Sequence, residues 1–217
     1  APVPHARDPI YPLTYAAALV GLDPNTARRW VRGYDYSHKG ERRHSPPVLE
    51  TVQQGRPQLE ITFEELLTLR LVRAFRDKGL GLPTIKKAAQ IAAKRYELQN
   101  PFITRAFRSD GRAIFLDLKE HGKVPADEGV LINALTGQQQ FRDVVEPSLF
   151  RDVVFAGDIP GRWYPQGKDR SVVIRPDRAF GAPHLEGTRI RTDVVADAVA
   201  AEGGDDAAIA AVAEWFR

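Results

Sequence analysis

The sequence predicts an α+β protein with helices at its two ends and short strands between them. Apolar residues recur at helical spacing before residue 100 and again after residue 192. Between these regions, Asp110-Gly111 separates two stretches of period-two alternation, which is typical of a β-hairpin. The 217 residues, of which 43% are hydrophobic and 27% charged, are enough for one large domain or two small ones.

Two short helices are predicted near the N-terminus, over residues 14–20 and 24–33. Thr14 is a candidate N-cap of the first helix. Asp23 is the candidate N-cap of the second, and Pro24 occupies its first position, where a missing N–H costs nothing. Two short helices joined by a brief turn that contains glycine are typical of a helix-turn-helix.

The second helix of this pair carries cations on its outer side. Ala27, Trp30 and Val31 fall at i, i+3 and i+4 and form the inward stripe. The residue types left outside suit DNA, because arginine binds guanine or phosphate, asparagine binds adenine, and threonine contacts phosphate or a thymine methyl. These candidate DNA-binding residues are Asn25, Thr26, Arg28, Arg29 and Arg32.

The segment after this helix, residues 34–60, is rich in glycine, proline and charge and predicts a loop with a short hairpin. Its Lys39, Arg42 and Arg43 are further candidate DNA contacts, of the kind a wing makes with the phosphate backbone. The alternative is a mobile, solvated loop.

Charge is distributed unevenly along the chain. Residues 25–44 carry a net charge of +4, which exceeds the +3 of the whole chain, whereas residues 193–217 carry −5. This asymmetry favours a nucleic-acid-binding face at one end and a different role for the other. Two solvated faces of opposite sign are the alternative.

Two longer helices and a set of strands follow. A capping box, Thr62 with Glu65, begins a helix predicted over residues 62–79, and a second helix is predicted over residues 82–99. The apolar positions of the first helix predict that it lies in the hydrophobic core. The cations of the second helix lie on its other face, where they are solvated or contact phosphate. They are Lys86, Lys87, Lys94 and Arg95.

The middle of the chain is predicted to be mostly strands. The hairpin around Asp110-Gly111 joins residues 102–108 to residues 112–118, and residues 130–136 are a further candidate strand. Residues 140–150 suggest an irregular or proline-interrupted helix. Short strands between turns are expected over residues 153–174. Two capped, alanine-rich helices, residues 192–202 and 205–216, end the sequence.

The N-terminal residues resemble the MerR-like winged helix-turn-helix. The resemblance covers roughly residues 12–95: the helix pair, the wing, a leucine-rich helix that ends in Lys78-Gly79-Leu80, and a further helix that contains Ile85-Lys86-Lys87-Ala88. It implies DNA binding. No long C-terminal coiled-coil helix follows, so the chain departs from classical MerR regulators in the device that usually dimerises them.

The C-terminal residues resemble a small helix-turn-helix domain common in antitoxins, formerly of unknown function. Its hallmark is a "GTRI" strand, here Gly187-Thr188-Arg189-Ile190, after Pro176, Gly181, Pro183 and Leu185. Together with a MerR-like N-terminus, this domain is similar to VapB-type antitoxins paired with PIN-like ribonuclease toxins. The family pattern continues with one more helix, so the domain is expected to be incomplete in this sequence.

Arg189 and Arg191 are the candidate partner-binding residues of this region. They alternate with Ile190 and are expected to project together from one face of the strand. They contact carboxylates of a partner or pair with nearby aspartates.

The sequence lacks the patterns that would indicate metal binding, catalysis or a membrane span. Cysteine is absent, and the five histidines have no metal-ligand spacing, so neither a metal nor another cofactor is expected. No phosphate-binding loop or nucleophile elbow is present, which indicates a protein that is not an enzyme. No apolar run approaches the roughly 18 residues of a membrane span, and no secretory signal begins the sequence, so a cytoplasmic protein without membrane contact is expected.

These observations favour an antitoxin of a type II toxin–antitoxin system. It would bind a PIN-like ribonuclease toxin and bind double-stranded operator DNA to repress its own operon, as a homodimer or a hetero-oligomer with the toxin. The expected domains are residues 1–100 for DNA binding, 101–165 for connection or dimerisation, and 170–217 for the antitoxin-type domain. The alternatives are a stand-alone MerR-like transcriptional regulator and an adaptor that binds no nucleic acid.

Overall fold

A mixed α and β architecture is found in the computed structural model. It describes residues 10–49, 59–96, 101–103, 107–109, 114–117, 130–133, 135–136, 139–141, 151–157 and 159–216. These residues divide into an N-terminal unit that ends at residue 151 and a C-terminal unit that begins at residue 152. Helices and small antiparallel sheets make up both units, in agreement with the predicted α+β class.

The N-terminal unit begins with a helix pair and a β-hairpin, followed by two longer helices. Its elements are β1 (Ile10–Pro12), α1 (Leu13–Leu19), α2 (Pro24–Arg32), β2 (Tyr34–His38), β3 (Glu41–Ser45), β4 (Glu60–Thr62), α3 (Phe63–Asp77) and α4 (Leu82–Tyr96). Strand β1 pairs with β4, which places Tyr11 opposite Ile61, and both of these side chains are buried. Burial also raises the pKa of the Tyr11 phenol well above its ordinary value, so it is neutral at physiological pH.

Helix α1 begins one residue earlier than predicted, and Thr14 is not its cap. Its N-cap is Pro12, whose ring offers no acceptor. The Leu13 N–H donates to the Leu59 carbonyl oxygen at 2.8 Å, because β1 is paired with β4 where the helix starts. A backbone hydrogen bond from Leu13 to a distant segment therefore takes the place of a side-chain cap. The buried side of α1 consists of Leu13, Ala16 and Ala17.

Helices α3 and α4 form the core of this unit. The predicted capping box is present: the Glu65 N–H donates to the Thr62 hydroxyl at 3.3 Å, and the Thr62 N–H donates to the Glu65 carboxylate at 2.7 Å. Helix α3 buries side chains around most of its circumference, which identifies it as a central core helix. The buried set is Phe63, Leu66, Leu67, Thr68, Leu69, Leu71, Val72 and Phe75.

A four-stranded antiparallel sheet lies in the remainder of the N-terminal unit. Its strands are β5 (Phe107–Ser109), β6 (Ile114–Asp117), β7 (Val130–Asn133) and β8 (Gln139–Phe141), in that order. Ser109 pairs with Ile114, which confirms the hairpin; Asp110-Gly111 lies outside the described residues. Three boundaries differ from prediction. Strand β7 ends at Asn133, and Leu135 and Thr136 lie in a turn where the strand was expected to continue to residue 136. Pro101–Ile103 is a 3-10 helix, and Gln139–Phe141 pairs with β7 as a strand where a helix was expected from residue 140; residues 142–150 lie outside the described residues.

The C-terminal unit combines two strand pairs with two helices. Its elements are β9 (Val153–Ala156), β10 (Ile159–Trp163), β11 (Val172–Val173), β12 (His184–Leu185), α5 (Thr192–Ala201) and α6 (Asp206–Trp215). Trp163 and Ile174 exchange backbone hydrogen bonds of 2.9 and 2.8 Å, which join the two strand pairs around a small buried core. The Trp163 indole N–H is satisfied by the Asp152 carboxylate at 2.9 Å. The predicted strands and both predicted helices are present.

The predicted "GTRI" strand is instead a turn. Residues 186–190 reverse the chain between β12 and an isolated bridge that joins His184 to Arg191. The Thr188 hydroxyl donates to the Leu185 carbonyl at 2.8 Å and accepts from the Ile190 N–H at 3.0 Å. These side-chain bonds fix a turn where alternation alone suggested a strand. Among the described residues, no helix has the length and apolar character required to cross a membrane.

Candidate nucleic-acid interface

Helix α2 is positioned by its cap and its buried face. The Asp23 carboxylate accepts a 2.9 Å hydrogen bond from the Thr26 N–H, as predicted, and Pro24 follows at the first helical position. Ala27, Trp30 and Val31 are buried. Because these three residues fix the inward face, the remaining side chains point outward: Asn25, Arg28, Arg29 and Arg32 are exposed, and Thr26 is partly exposed.

The β2–β3 hairpin continues this surface. Gly33 has a φ of +76°, and a Cβ there would lie 2.6 Å from the Ser45 carbonyl oxygen, so glycine is required where the hairpin returns past the end of α2. At the tip, Lys39 and Gly40 both have positive φ, which is typical of a two-residue type I′ turn. We call the exposed side chains of α2 and this hairpin the basic surface.

Two cations of the hairpin are paired within it. Arg42 lies 2.7 Å from the Asp35 carboxylate, and Arg43 lies 3.2 Å from Glu41. The Asp35 carboxylate also accepts a hydrogen bond from the His44 Nδ1 position at 2.7 Å. The hydrogen bonds from His44 and then Arg42 hold the pKa of Asp35 below its ordinary value. All of these groups are exposed, so the pairs are weak and exchangeable.

Two tyrosines of the β2–β3 hairpin were not predicted as site residues. The Arg29 guanidinium lies 4.5 Å from the centroid of the Tyr34 ring, within cation–π distance. Tyr34 and Tyr36 have ring centroids 5.9 Å apart, and Tyr36 is 40% exposed. Their spacing of two along a strand was the available sequence signal, since it places both rings on one face.

Lys86 of α4 holds the far end of the hairpin. Its ammonium group donates to the Pro46 carbonyl and lies 3.4 Å from the Ser45 hydroxyl. Burial lowers the pKa of Lys86 below its ordinary value. Lys86 was expected on a solvated or phosphate-contacting face, and that expectation is wrong: it fastens the hairpin to α4. Lys87 and Lys94 are exposed, as expected, and the side chain of Arg95 lies outside the described residues.

The two candidate partner-binding arginines of the C-terminal unit differ in environment. Arg191 donates through Nε to the Asp193 carboxylate at 3.0 Å, in a two-bond ion pair at the start of α5. These hydrogen bonds lower the pKa of Asp193. Arg189 lies in the preceding turn and is exposed, and it makes no ion pair within the described part of the chain. Because residues 186–190 are a turn, the strand argument for a shared face no longer applies.

Comparison with known proteins gives distant relatives. No family model matches the chain. It is 26% identical over 211 residues to "Uncharacterized protein Rv2308" of Mycobacterium tuberculosis (strain ATCC 25618 / H37Rv), covering 91% of this chain and 80% of that protein. It is 23% identical over 200 residues to "Putative antitoxin VapB45" of the same strain, covering 84% and 79%. The similarity to VapB45 supports a role in a toxin–antitoxin system.

A solved structure shares the fold. The crystal structure of Rv2018 from Mycobacterium tuberculosis superposes with a TM-score of 0.59 at 18% sequence identity, covering 92% of this chain and 90% of that one. At this identity the likeness concerns the fold alone.

Proposed function

We propose that the chain is a VapB-type antitoxin that neutralises a PIN-like ribonuclease toxin and represses its own operon by binding operator DNA. The similarity to VapB45 over 84% of the chain carries this proposal. The antitoxin acts by binding, not by catalysis, and it works in the cytoplasm, where its toxin and its operator both lie.

The N-terminal unit binds DNA as a MerR-like winged helix-turn-helix. Helix α2 enters the major groove with Asn25, Thr26, Arg28, Arg29 and Arg32, and the β2–β3 hairpin is the wing. The stacking of Arg29 on Tyr34 supports this assignment, because it holds a long cationic side chain in one orientation before DNA arrives.

The wing contacts the phosphate backbone through Lys39 at its tip and through Arg42 and Arg43 on β3. The last two are paired with carboxylates in the free protein, at exposed sites where ion pairs contribute little. Exchanging these carboxylates for DNA phosphates at Arg42 and Arg43 therefore costs little free energy. Since a single helix-turn-helix contacts few base pairs, the antitoxin binds as a dimer, with half-sites about one helical turn apart.

The C-terminal unit binds the toxin. Nuclease sites of this kind gather acidic residues around Mg²⁺, so an arginine placed among them competes with the metal and blocks cleavage. Arg189 is suited to this role because it is exposed on a turn that a hydrogen bond from the Thr188 hydroxyl stabilises. Arg191 contacts the edge of the toxin site and orders the start of α5 through its pair with Asp193.

A tagged full-length chain isolated from its native host tests the proposal. We expect one small protein at a ratio near one to one by native mass spectrometry, and this protein should cleave RNA once released from the complex. A duplex from upstream of the chain's own reading frame should bind the same complex.

Two results would redirect the assignment. If the duplex binds but no stoichiometric protein is recovered, the chain is a stand-alone regulator. If neither the duplex nor a ribonuclease is recovered, both halves of the proposal are wrong and the adaptor hypothesis is favoured.

A further inference from the structure

Helices α5 and α6 form a pair whose apolar side chains are incompletely covered. Eight of the ten residues of α5 are alanine, valine or threonine, yet none of its side chains is buried. Helix α6 buries only Ala208 and Val212. Helices of ten residues depend on packing of an apolar face for most of their stability. The α5–α6 pair therefore has a face suited to a further packing partner.

This face includes an apolar groove. Its volume is about 260 Å³, and its lining includes Val212, which is buried. Ile209 is 54% exposed and lines the groove, so an apolar side chain of a partner can reach it. The full lining is Leu185, Val195, Val199, Ile209, Val212, Ala213 and Phe216.

The charges of the α5–α6 pair favour one kind of partner. Residues 192–216, which contain both helices, include six carboxylates and no lysine, arginine or histidine, and Arg191 just before them is paired with Asp193. Three of these carboxylates, Glu202, Asp205 and Asp206, are exposed and lie in or next to the connection between the two helices. A second copy of the same face would bring these like charges together, whereas a cationic partner meets them with opposite charge.

We propose that the α5–α6 groove binds one amphipathic helix of the toxin, with an apolar stripe on one side and lysine or arginine on its flanks. This is the helix-in-groove mode, in which residues at i, i+3, i+4 and i+7 enter the groove. The identity of the partner rests on the proposed function, while the chemistry of the bound helix rests on the groove and its carboxylates. The lining of the groove does not include Arg189.

Two matched substitutions test the apolar contact. Ile209→Asp places a charge in the groove, and Val194→Asp places the same charge on α5 at a side chain that is 49% exposed and does not line the groove. Calorimetry with the purified partner should give a Kd about 30-fold or more weaker for Ile209→Asp and within about threefold of wild type for Val194→Asp. Equal effects of the two substitutions would overturn the proposal. Circular dichroism melts confirm that both variants are folded.

A second pair of substitutions tests the charge of the occupant without touching the apolar lining. Glu202→Gln combined with Asp206→Asn leaves the Asp205 cap of α6 intact. The double variant should bind the partner more weakly at 50 mM salt and lose affinity less steeply as salt rises. Unchanged or tighter binding would contradict a cationic partner.

A photo-crosslinking amino acid at position 209 of the full chain identifies the occupant directly. Cross-links to a lysine- or arginine-rich helical segment of another protein support the groove assignment. Cross-links to a second copy, or to another part of the same chain, overturn it. If the toxin is recovered but cross-links only from position 189, the groove inference fails while the proposed function stands. If the cross-linked cationic helix belongs to a protein that is not a nuclease, the proposed function fails and the groove inference stands.

Discussion

Replacing Arg28 and Arg29 with alanine is expected to flatten the salt dependence of DNA binding. Both guanidinium groups are exposed on α2, and within the described residues neither is paired with a carboxylate. They are therefore available to displace counterions from phosphate, and each such contact adds about 0.9 to the slope of log K against log salt. The double variant should lose about 1.8 of that slope. Between 50 and 200 mM salt, the wild-type chain should lose about 12-fold more affinity than the variant.

The measurement is fluorescence anisotropy of a labelled duplex taken from upstream of the chain's own reading frame, at four salt concentrations. The matched control is Lys168→Ala with Arg170→Ala. It removes the same net charge from two exposed positions of the C-terminal unit. The control should leave the slope unchanged. If the Arg28/Arg29 variant keeps the wild-type slope, or if the control flattens it equally, α2 is not the DNA-binding element.

Three further outcomes are expected. Asp23→Ala removes the cap of α2 and should lower the free energy of unfolding of the N-terminal unit by about 1 kcal/mol in chemical denaturation, whereas Asp23→Asn, which retains an acceptor, should change it little. Lys86→Met should speed hydrogen exchange of the β2–β3 amides about tenfold by releasing the hairpin from α4, and the exposed Lys87→Met should not. The pKa of Asp35 is lowered in the fold, so its ion pairs are complete above the ordinary aspartate pKa and are lost as pH falls through the lower folded value. In ¹³C NMR titration, His44→Ala should therefore raise the Asp35 pKa toward its ordinary value, and an unchanged pKa would contradict the pairing.

The features predicted correctly from sequence are mostly those fixed by neighbours in the chain. The Asp23 cap and the Thr62–Glu65 capping box need only a residue type at a set distance from a helix start. The hairpin around Asp110-Gly111 is signalled by its turn dipeptide and by alternation on both sides. Such local signals do not depend on the rest of the fold, and for that reason the sequence was sufficient.

The errors arise where a distant residue or an unexpected side-chain bond decides the conformation. Thr14 looked like a cap, but the Leu59 carbonyl satisfies the start of α1 after β4 pairs with β1. Residues 139–141 form a strand because β7 offers an edge to pair with, which periodicity alone does not reveal.

In the candidate site, too, features set by local sequence were predicted and features set by distant contacts were missed. The outward set on α2 followed from helical spacing, since Ala27, Trp30 and Val31 fix the inward face. The anchoring of the hairpin by Lys86 did not follow from helical spacing, because the contact joins segments about forty positions apart. The pairing of Arg42 with Asp35 depends on the register of the hairpin, which only the structure supplies.

A titration of the purified partner with the full chain, with cleavage of a labelled RNA as the readout, tests most directly whether this protein neutralises a toxin. We expect cleavage to fall to background near one chain per partner, both for the wild-type chain and for the Arg28→Ala, Arg29→Ala variant that no longer binds DNA normally. Persistent cleavage at saturating chain, with the complex still formed, would contradict the claim that this protein is an antitoxin.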